Sequence, residues 1–358
     1  MNKISQGGLK MKAARLYEPG DIRIEEVKKP EISENEVLVK VKAVGICGSD
    51  IPRANEYGAH ISPLTLGHEF SGEIVKLGDQ IDEWEQGEKV TVGPLIPCYE
   101  CEWCNKGRYS LCNNYSYFGS RRDGAMAEFV SVPENNLVKV PDAVTYEAAA
   151  LTDPAANAVH GLWKGDLKEG DNVIILGLGA IGLFAVQYAK YLGADKIIAV
   201  DIFDKKLGVA KEIGATHIVN NKVEDATKKI NSITNNRKAD FVIETAGSKI
   251  TQKQSLHLTA PDGNIVFLGI SHDKLVIDEQ GVENLLRGEI NIVGSWNSFS
   301  DPFPGKEWRE SIKLFKTGDF KYKEIISHQL KLEKVPEMFE KLKNENFYYN
   351  KIMFYPEK

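Results

Sequence analysis

All five cysteines of the chain fall in two places, and both have the composition of a zinc site. Cys98, Cys101, Cys104 and Cys112 form a C-x2-C-x2-C-x7-C run beginning at Pro97. Two-residue gaps let tight turns bring sulfurs onto one centre, and four thiolates close a structural zinc tetrahedron with no position open to substrate. Gly107 eases the last turn of this loop. An iron–sulfur cluster uses the same ligands, but no redox partner motif accompanies them.

The remaining cysteine, Cys47, lies in Gly45-Ile46-Cys47-Gly48-Ser49-Asp50, with Gly67-His68-Glu69 further along and Asp153 in Leu151-Thr152-Asp153-Pro154. One thiolate, one imidazole and nearby carboxylates make the mixed set of a catalytic zinc, which keeps a position for water or a substrate oxygen. An ion held there acts as a Lewis acid: it lowers the pKa of an alcohol and so allows hydride to leave the adjacent carbon near neutral pH. Ser49 is placed to accept the alcohol proton. Asp50 is placed to orient His68 by accepting its ring N–H.

A third constellation follows. Val173-Ile174-Ile175-Leu176-Gly177-Leu178-Gly179-Ala180-Ile181-Gly182 is G-x-G-x-x-G directly after a strand pattern and opening a helix pattern. Gly177 permits the tight turn, Gly179 lets a pyrophosphate approach the backbone beside Ile181, and Gly182 allows close helix–strand packing. Ala199-Val200-Asp201 ends the next strand, where a ribose-binding acid belongs. Asp201 repels a 2′-phosphate and favours NAD over NADP, although Lys205 and Lys206 soften that repulsion. Lys206 has a place along the adenine ribose. Glu244-Thr245-Ala246-Gly247 and Phe267-Leu268-Gly269-Ile270 follow later strands, so Gly247, Leu268 and Gly269 fall where the nicotinamide half binds.

These residues need two kinds of scaffold. The first 150 positions read as short alternating strands such as Val37–Val41 and Phe129–Val132, punctuated by Gly, Pro, Asn and Asp. From Asp171 the pattern becomes strand–helix alternation. Apolar runs at Asn172–Leu176, Lys196–Val200, His217–Val219, Asp240–Ile243, Asn264–Leu268 and Glu289–Val293 are joined by helical stretches such as Ala180–Leu192 and Lys205–Ile213. That is the pattern of an α/β, doubly wound parallel sheet. After about Ser300 the chain returns to mixed structure and ends in strand-like Lys351–Phe354, a tail too short for its own core. The expected division is therefore 11–154 with 301–358 for the first domain and 155–300 for the second. Residues 1–10 are read as a loose extension, because they are polar and lack an apolar signal core.

Composition supports this reading. With 358 residues, 42% hydrophobic and 27% charged, the chain has the make-up of a soluble globular protein. A net charge of −6 and no long basic stretch argue against nucleic acid and anionic membranes as partners. Reduced, metal-bound thiols fit a cytoplasmic protein better than a disulfide framework does.

In this order, from Met11 onward, the motifs resemble those of the zinc-containing medium-chain dehydrogenase/reductase family. The resemblance implies a GroES-like, mostly β catalytic domain with a Rossmann domain inserted near its C-terminal end, and homodimers or homotetramers. It further implies one catalytic zinc on Cys47, His68, Glu69 and Asp153, one structural zinc on the four loop cysteines, and a nicotinamide cofactor. Gly58-Ala59-His60, Thr65 to Gly72, Gly119-Ser120-Arg121-Arg122-Asp123-Gly124, Gly294-Ser295-Trp296 and Pro302 to Trp308 are similar to the branch acting on polyols and polyol phosphates, galactitol 1-phosphate among them. Two positions depart from it. The acid after Thr152 is Asp where the similar enzymes carry Glu, one methylene shorter, so a water can bridge it to the ion. Pro52 replaces the relay histidine of several alcohol dehydrogenases.

A phosphorylated polyol needs cations, and guanidinium groups bind phosphate bidentately. Arg121 and Arg122 are the candidates, with His60, and then Arg53 and Lys306, behind them. The ordinary alternative pairs one arginine with Asp123 or Glu128. The expected activity is hydride transfer from a secondary hydroxyl of a polyol phosphate to NAD. The alternatives are a free polyol or an arabitol or ribitol phosphate, more remotely L-threonine, and, in another class, a non-catalytic dinucleotide-binding protein.

Overall fold

Alternation of buried and exposed residues builds the first part of the chain as antiparallel sheet. The computed structural model describes residues 9–271, 273–344 and 346–357. Of the expected N-terminal extension, residues 1–8 lie outside the described residues, and Lys10 already opens a strand. Strands β1 (Lys10–Glu18), β2 (Asp21–Lys28), β3 (Glu36–Gly45), β4 (Leu64–Thr65), β5 (Glu69–Leu77), β6 (Lys89–Val92), β7 (Leu95–Ile96), β8 (Ser116–Tyr117), β9 (Phe129–Pro133) and β10 (Leu137–Lys139) precede the first long helix. Between them lie the short α1 (Asp50–Pro52) and α2 (Glu102–Asn105), and after them α3 (Tyr146–Ala150) and α4 (Thr152–Lys164). Thr145 caps α3 by accepting the N–H of Ala148 at 3.2 Å.

The second part alternates strand and helix. It runs through β11 (Asn172–Leu176), α5 (Ala180–Tyr191), β12 (Lys196–Asp201), α6 (Asp204–Ile213), β13 (His217–Asn220), α7 (Ala226–Ile233), β14 (Ala239–Glu244), α8 (Lys249–Leu258), β15 (Thr259–Phe267), α9 (Glu279–Arg287) and β16 (Asn291–Gly294). The chain closes with α10 (Lys306–Thr317), β17 (Ile326–Lys331), α11 (Val335–Lys341) and β18 (Lys351–Tyr355).

Two units emerge. One holds the residues up to Asp153, Phe299–Ile312 and the stretch from Ile326 onward; the other holds Pro154–Ser298 and Lys313–Ile325. The stretch Lys313–Ile325, expected in the first domain, belongs to the second because Phe315 and Phe320 close on Phe184 at 5.6 and 5.1 Å between ring centroids.

In the first unit a sheet runs β10-β6-β5-β3-β18-β17, with β9 also on β3, and a smaller sheet runs β2-β1-β4. Val39, Val41, Phe70, Ile74 and Phe354 fill the core they share. In the second unit every pairing of the sheet β13-β12-β11-β14-β15-β16 is parallel. All five residues of β11 are buried, as the middle strand of a sheet covered on both faces requires. Each such aliphatic side chain contributes roughly 1.5–3 kcal/mol by leaving water. The strand order reverses between β11 and β14, which opens the crevice where ligands bind in doubly wound sheets. Among the described residues no helix is long and apolar enough to cross a membrane.

Candidate metal centres and nucleotide cradle

None of the five cysteines is in a disulfide. The four loop sulfurs lie within 4.8 Å of one another. Cys98 and Cys104 are 4.0 Å apart, Cys101 and Cys104 3.6 Å, and Cys98 and Cys112 3.5 Å. Zn–S bonds of about 2.3 Å in a tetrahedron give edges of about 3.8 Å, so the donor set fits a zinc ion. The backbone N–H groups of Asn113 and Cys104 favour the thiolate of Cys101, and the N–H of Cys98 donates to Cys112 Sγ at 3.3 Å. The loop is backed by rings: Phe303 meets Tyr109 at 5.2 Å and Tyr99 at 5.9 Å, and Phe299 stacks between Phe303 and the buried Trp308.

The second group is made by one strand pairing. In the antiparallel β3–β5 ladder Gly45 stands opposite Glu69, so Cys47, just past Gly45, meets His68 and Glu69. The donor atoms of Cys47, His68 and Glu69 lie within 4.8 Å of one another, and the two β5-side residues are buried. Asp50 is fully buried; its Oδ2 accepts the N–H of Cys47 at 3.0 Å, and its Oδ1 lies 3.3 Å from His68 Nδ1. Burial opposes charge on His68, yet Asp50 and Cys47 hold its pKa well above the ordinary value. A thiolate, an imidazole and a carboxylate converging in a buried pocket fit a divalent ion, which would take the place of that proton.

Asp153 is buried nearby but does not belong to the group whose donors lie within 4.8 Å of one another. Its chain is one methylene short. Burial pushes it up to about 7; His68 and Lys351 pull it down, while Glu69 and Asp50 push it further up. Ser49 sits at the N-cap of α1 and makes no capping bond.

Two neighbours of this group escape a sequence reading. Lys351, the first residue of β18, places Nζ 2.5 Å from Glu69 Oε2 and donates to the carbonyl of Ile46 at 2.8 Å. Its only sequence signal is a charge at the head of an otherwise apolar strand. Tyr117 sets its ring edge-on to His68 at 5.4 Å, and burial together with Asp153 and Cys47 holds its phenol well above the ordinary range.

From Tyr117 a path of rings leads outward: Tyr115 is 6.3 Å away, and the Arg121 guanidinium lies 4.6 Å over Tyr115. Burial lowers the pKa of His60, and Arg121 and Arg53 lower it further, so a neutral imidazole and two guanidinium groups share one neighbourhood. The Nε of Arg53 is buried and has no hydrogen-bond partner among the described residues. Arg122 goes elsewhere. Its guanidinium binds Glu36 Oε1 at 3.0 Å and both oxygens of Ser131, and lies over Phe118. Asp123 is taken by Arg15 at 2.7 Å. Lys306 begins α10.

The glycine motif forms a cradle. Gly177 has φ +94°, and a Cβ there would lie 2.8 Å from the N of Ala246, so the loops after β11 and β14 touch at the strand-order switch. A Cβ on Gly182 would come 2.0 Å from the Gly177 carbonyl, whereas one on Gly179 would meet nothing within 4 Å. The backbone is therefore open at Gly179, the N-cap of α5, where a pyrophosphate fits. Asp201 Oδ2 accepts the N–H of Leu178 at 2.8 Å, and Oδ1 accepts those of Ile202 and Phe203. Lys206 lies over Phe203; burial lowers its pKa, and Asp201 opposes the shift. Buried Glu244 organises the far side: its Oε1 accepts from Ala246, Gly247 and Thr251, and its carbonyl accepts the N–H groups of Leu268 and Gly269.

Known proteins match this chain along most of its length. The Alcohol dehydrogenase GroES-like domain signature covers residues 33–142, and the Zinc-binding dehydrogenase signature covers 180–317. Galactitol 1-phosphate 5-dehydrogenase of Escherichia coli K12 is 36% identical over 87% of this chain and 90% of its own. Among solved structures, galactitol-1-phosphate dehydrogenase from Escherichia coli superposes with a TM-score of 0.92 at 34% identity, over 97% of this chain and 100% of that one. A zinc-binding dehydrogenase from Sinorhizobium meliloti bound to NADP gives 0.90 at 33% identity, again over 97% and 100%.

Proposed function

The chain belongs to the zinc-containing medium-chain dehydrogenase family, an oxidoreductase family, and we propose that it oxidises a secondary hydroxyl of a polyol phosphate with NAD, giving a ketose phosphate, NADH and a proton. When bound, zinc would supply Lewis acidity toward the substrate hydroxyl and NAD would supply the hydride acceptor. Cys47, His68 and Glu69 would hold the catalytic ion, with Asp153 beside them, and Cys98, Cys101, Cys104 and Cys112 would hold the structural one. Asp50 fixes the His68 ring and the Cys47 backbone in register. Ser49, whose hydroxyl makes no capping bond, takes the proton of the substrate hydroxyl and passes it outward.

The observation that carries the phosphate is the run of rings from His68 through Tyr117 and Tyr115 to Arg121, with His60 and Arg53 beside it. A sugar chain laid along aromatic rings, one end at the ion, brings its other end to the guanidinium groups of Arg121 and Arg53, which suit a phosphate. NAD is favoured because Asp201 presents a carboxylate where NADP carries a 2′-phosphate; Lys206 beside it is turned onto Phe203.

The test is a screen of NAD reduction with matched pairs of polyols and polyol phosphates. Phosphorylated substrates should exceed their free counterparts in kcat/KM by tenfold or more, and Arg121→Ala should erase the difference. Equal rates on both members of each pair would sink the phosphate assignment.

A further inference from the structure

We propose that Lys351 is a positioning residue of the Cys47/His68/Glu69 group: it keeps one oxygen of Glu69 on its ammonium, so that only the other is offered to an ion. The inference rests on the reading of that group as a metal centre.

The pair is enclosed on every side the structure describes. Lys351 is 3% exposed and Glu69 2%, and Nζ stands 2.5 Å from Oε2. The same ammonium donates to the carbonyl of Ile46, the residue before Cys47, so one cation ties together the backbone carrying the thiolate and the carboxylate across the ladder. Gly45 forms the floor. A Cβ there would lie 2.6 Å from Glu69 Oε2, 3.3 Å from Met353 Sδ and 3.4 Å from Lys351 Cδ. The missing side chain of Gly45 is thus the space in which the Glu69 carboxylate meets the ammonium.

A buried ammonium needs a reason. The rest of β18, Ile352 to Tyr355, is buried and apolar or aromatic, and an aliphatic residue at its head would pack without the cost of desolvating a charge. The reason lies in the surrounding charges. The Cys47 thiolate, Glu69, Asp50 and Asp153 crowd one pocket, so a divalent ion alone leaves an excess of negative charge, which Lys351 offsets. Without Lys351, Glu69 would be free to offer both oxygens. The ion would then be held more tightly, with a fuller coordination shell and less capacity to take a substrate oxygen. A lysine that merely stabilised the strand would leave the ion's surroundings untouched.

Cobalt substitution reads the difference directly. The dissociation constant of Co2+, by chelator competition, and its visible absorption would be measured in the wild type, Lys351→Met, Lys351→Arg, Glu69→Gln and the Lys351→Met/Glu69→Gln pair. Lys351→Met should tighten binding about tenfold or more, because the second Glu69 oxygen is released to the ion and a unit positive charge beside it is removed. Its visible bands should weaken as coordination rises, and Lys351→Arg should restore both. In the Glu69→Gln background Lys351→Met should leave the visible bands unchanged and tighten binding by clearly less than in the wild type, because only the through-space charge is then lost. Unchanged or weaker binding in Lys351→Met, or the same change with Glu69 absent, would overturn the proposal. Should Lys351→Met not fold, Glu69→Gln carries the test: it must weaken binding and alter the spectrum, and unaltered values overturn the proposal. A wild type that takes metal only on its four-cysteine loop would instead sink the metal reading itself.

Discussion

Gly45 and Glu69 face each other across the β3–β5 ladder so closely that a methyl group on Gly45 would lie 2.6 Å from Glu69 Oε2. Cβ atoms do not approach a carboxylate oxygen at that distance, so Gly45→Ala must displace the carboxylate. The expected result is a loss of metal affinity of about tenfold. Overpacking should cost only about 1–3 kcal/mol of stability. Dialysis against chelator, with the unfolding midpoint measured alongside, separates the two effects. Full metal retention in Gly45→Ala would show that Glu69 plays no part in holding the ion.

Asp50 stands one step behind the proposed ligands. It is fully buried and touches both the Cys47 N–H and the His68 ring. Asp50→Asn keeps the shape but removes the charge that favours an Nδ1 proton and hence a ligating Nε2 on His68. Metal affinity should fall about 10- to 100-fold, the usual effect of losing such a partner. Competition with a chromophoric chelator measures it, and wild-type affinity would refute an orienting role.

These two residues show what the chain revealed before its fold was known. Cysteine spacing is local, so the four-sulfur loop was legible at once, and the Gly177 to Gly182 turn was legible for the same reason. Cys47 with His68 was legible as chemistry, but the register that sets Gly45 against Glu69 depends on long-range pairing. Lys351 was hidden because a lysine at the head of an apolar strand reads as a solvated end until β18 is seen beside β3. Arg121 and Arg122 are adjacent and equal in type, yet one lies over Tyr115 and the other is committed to Glu36. Only the course of the turn between β8 and β9 decides which is which.

Cofactor choice should turn on Asp201. Its carboxylate accepts from Leu178, Ile202 and Phe203, at the strand end proposed to face the adenine ribose. Asp201→Asn retains an acceptor for that turn but removes the repulsion toward a 2′-phosphate. The ratio of kcat/KM for NAD to that for NADP should fall by about tenfold or more, the equivalent of roughly 1.4 kcal/mol. A ratio unmoved by the substitution would mean that another group selects the cofactor.

The four-cysteine loop should support more than itself. Ser110 Oγ accepts the N–H of Phe299 at 3.1 Å, and Phe299 stacks on Trp308, so the loop and Phe299–Trp308 form one packed body. Cys104→Ser should lower metal content by one ion per chain and destabilise by more than about 3 kcal/mol, as losses of structural metals do. The buried indole of Trp308 gives the readout: its emission should shift to the red as water reaches it. Unchanged emission with one ion missing would show that the aromatic contacts stand without the metal.

Asp278 supplies a pH-dependent stabilisation of the second unit. It caps α9 by accepting the N–H of Gly281 at 2.8 Å, and it binds Lys253 at 2.8 Å and His257 at 3.1 Å, both on α8. Lys253 above all, with the Gly281 N–H and His257, outweighs burial and pulls its carboxyl down to about 2 from an ordinary 3.8. A carboxylate whose folded-state pKa is depressed stabilises the fold above its unfolded value and loses that contribution as pH falls toward the folded one. Asp278→Ala should therefore be less stable than wild type at pH 7, and the gap should close as pH drops below 3.8 toward about 2. The group is exposed, so added salt should shrink the gap at neutral pH by screening the Lys253 pair. Urea midpoints of both proteins at pH 7 and across the acid range measure it, and a gap that persists at the acid end would exclude Asp278 as its source.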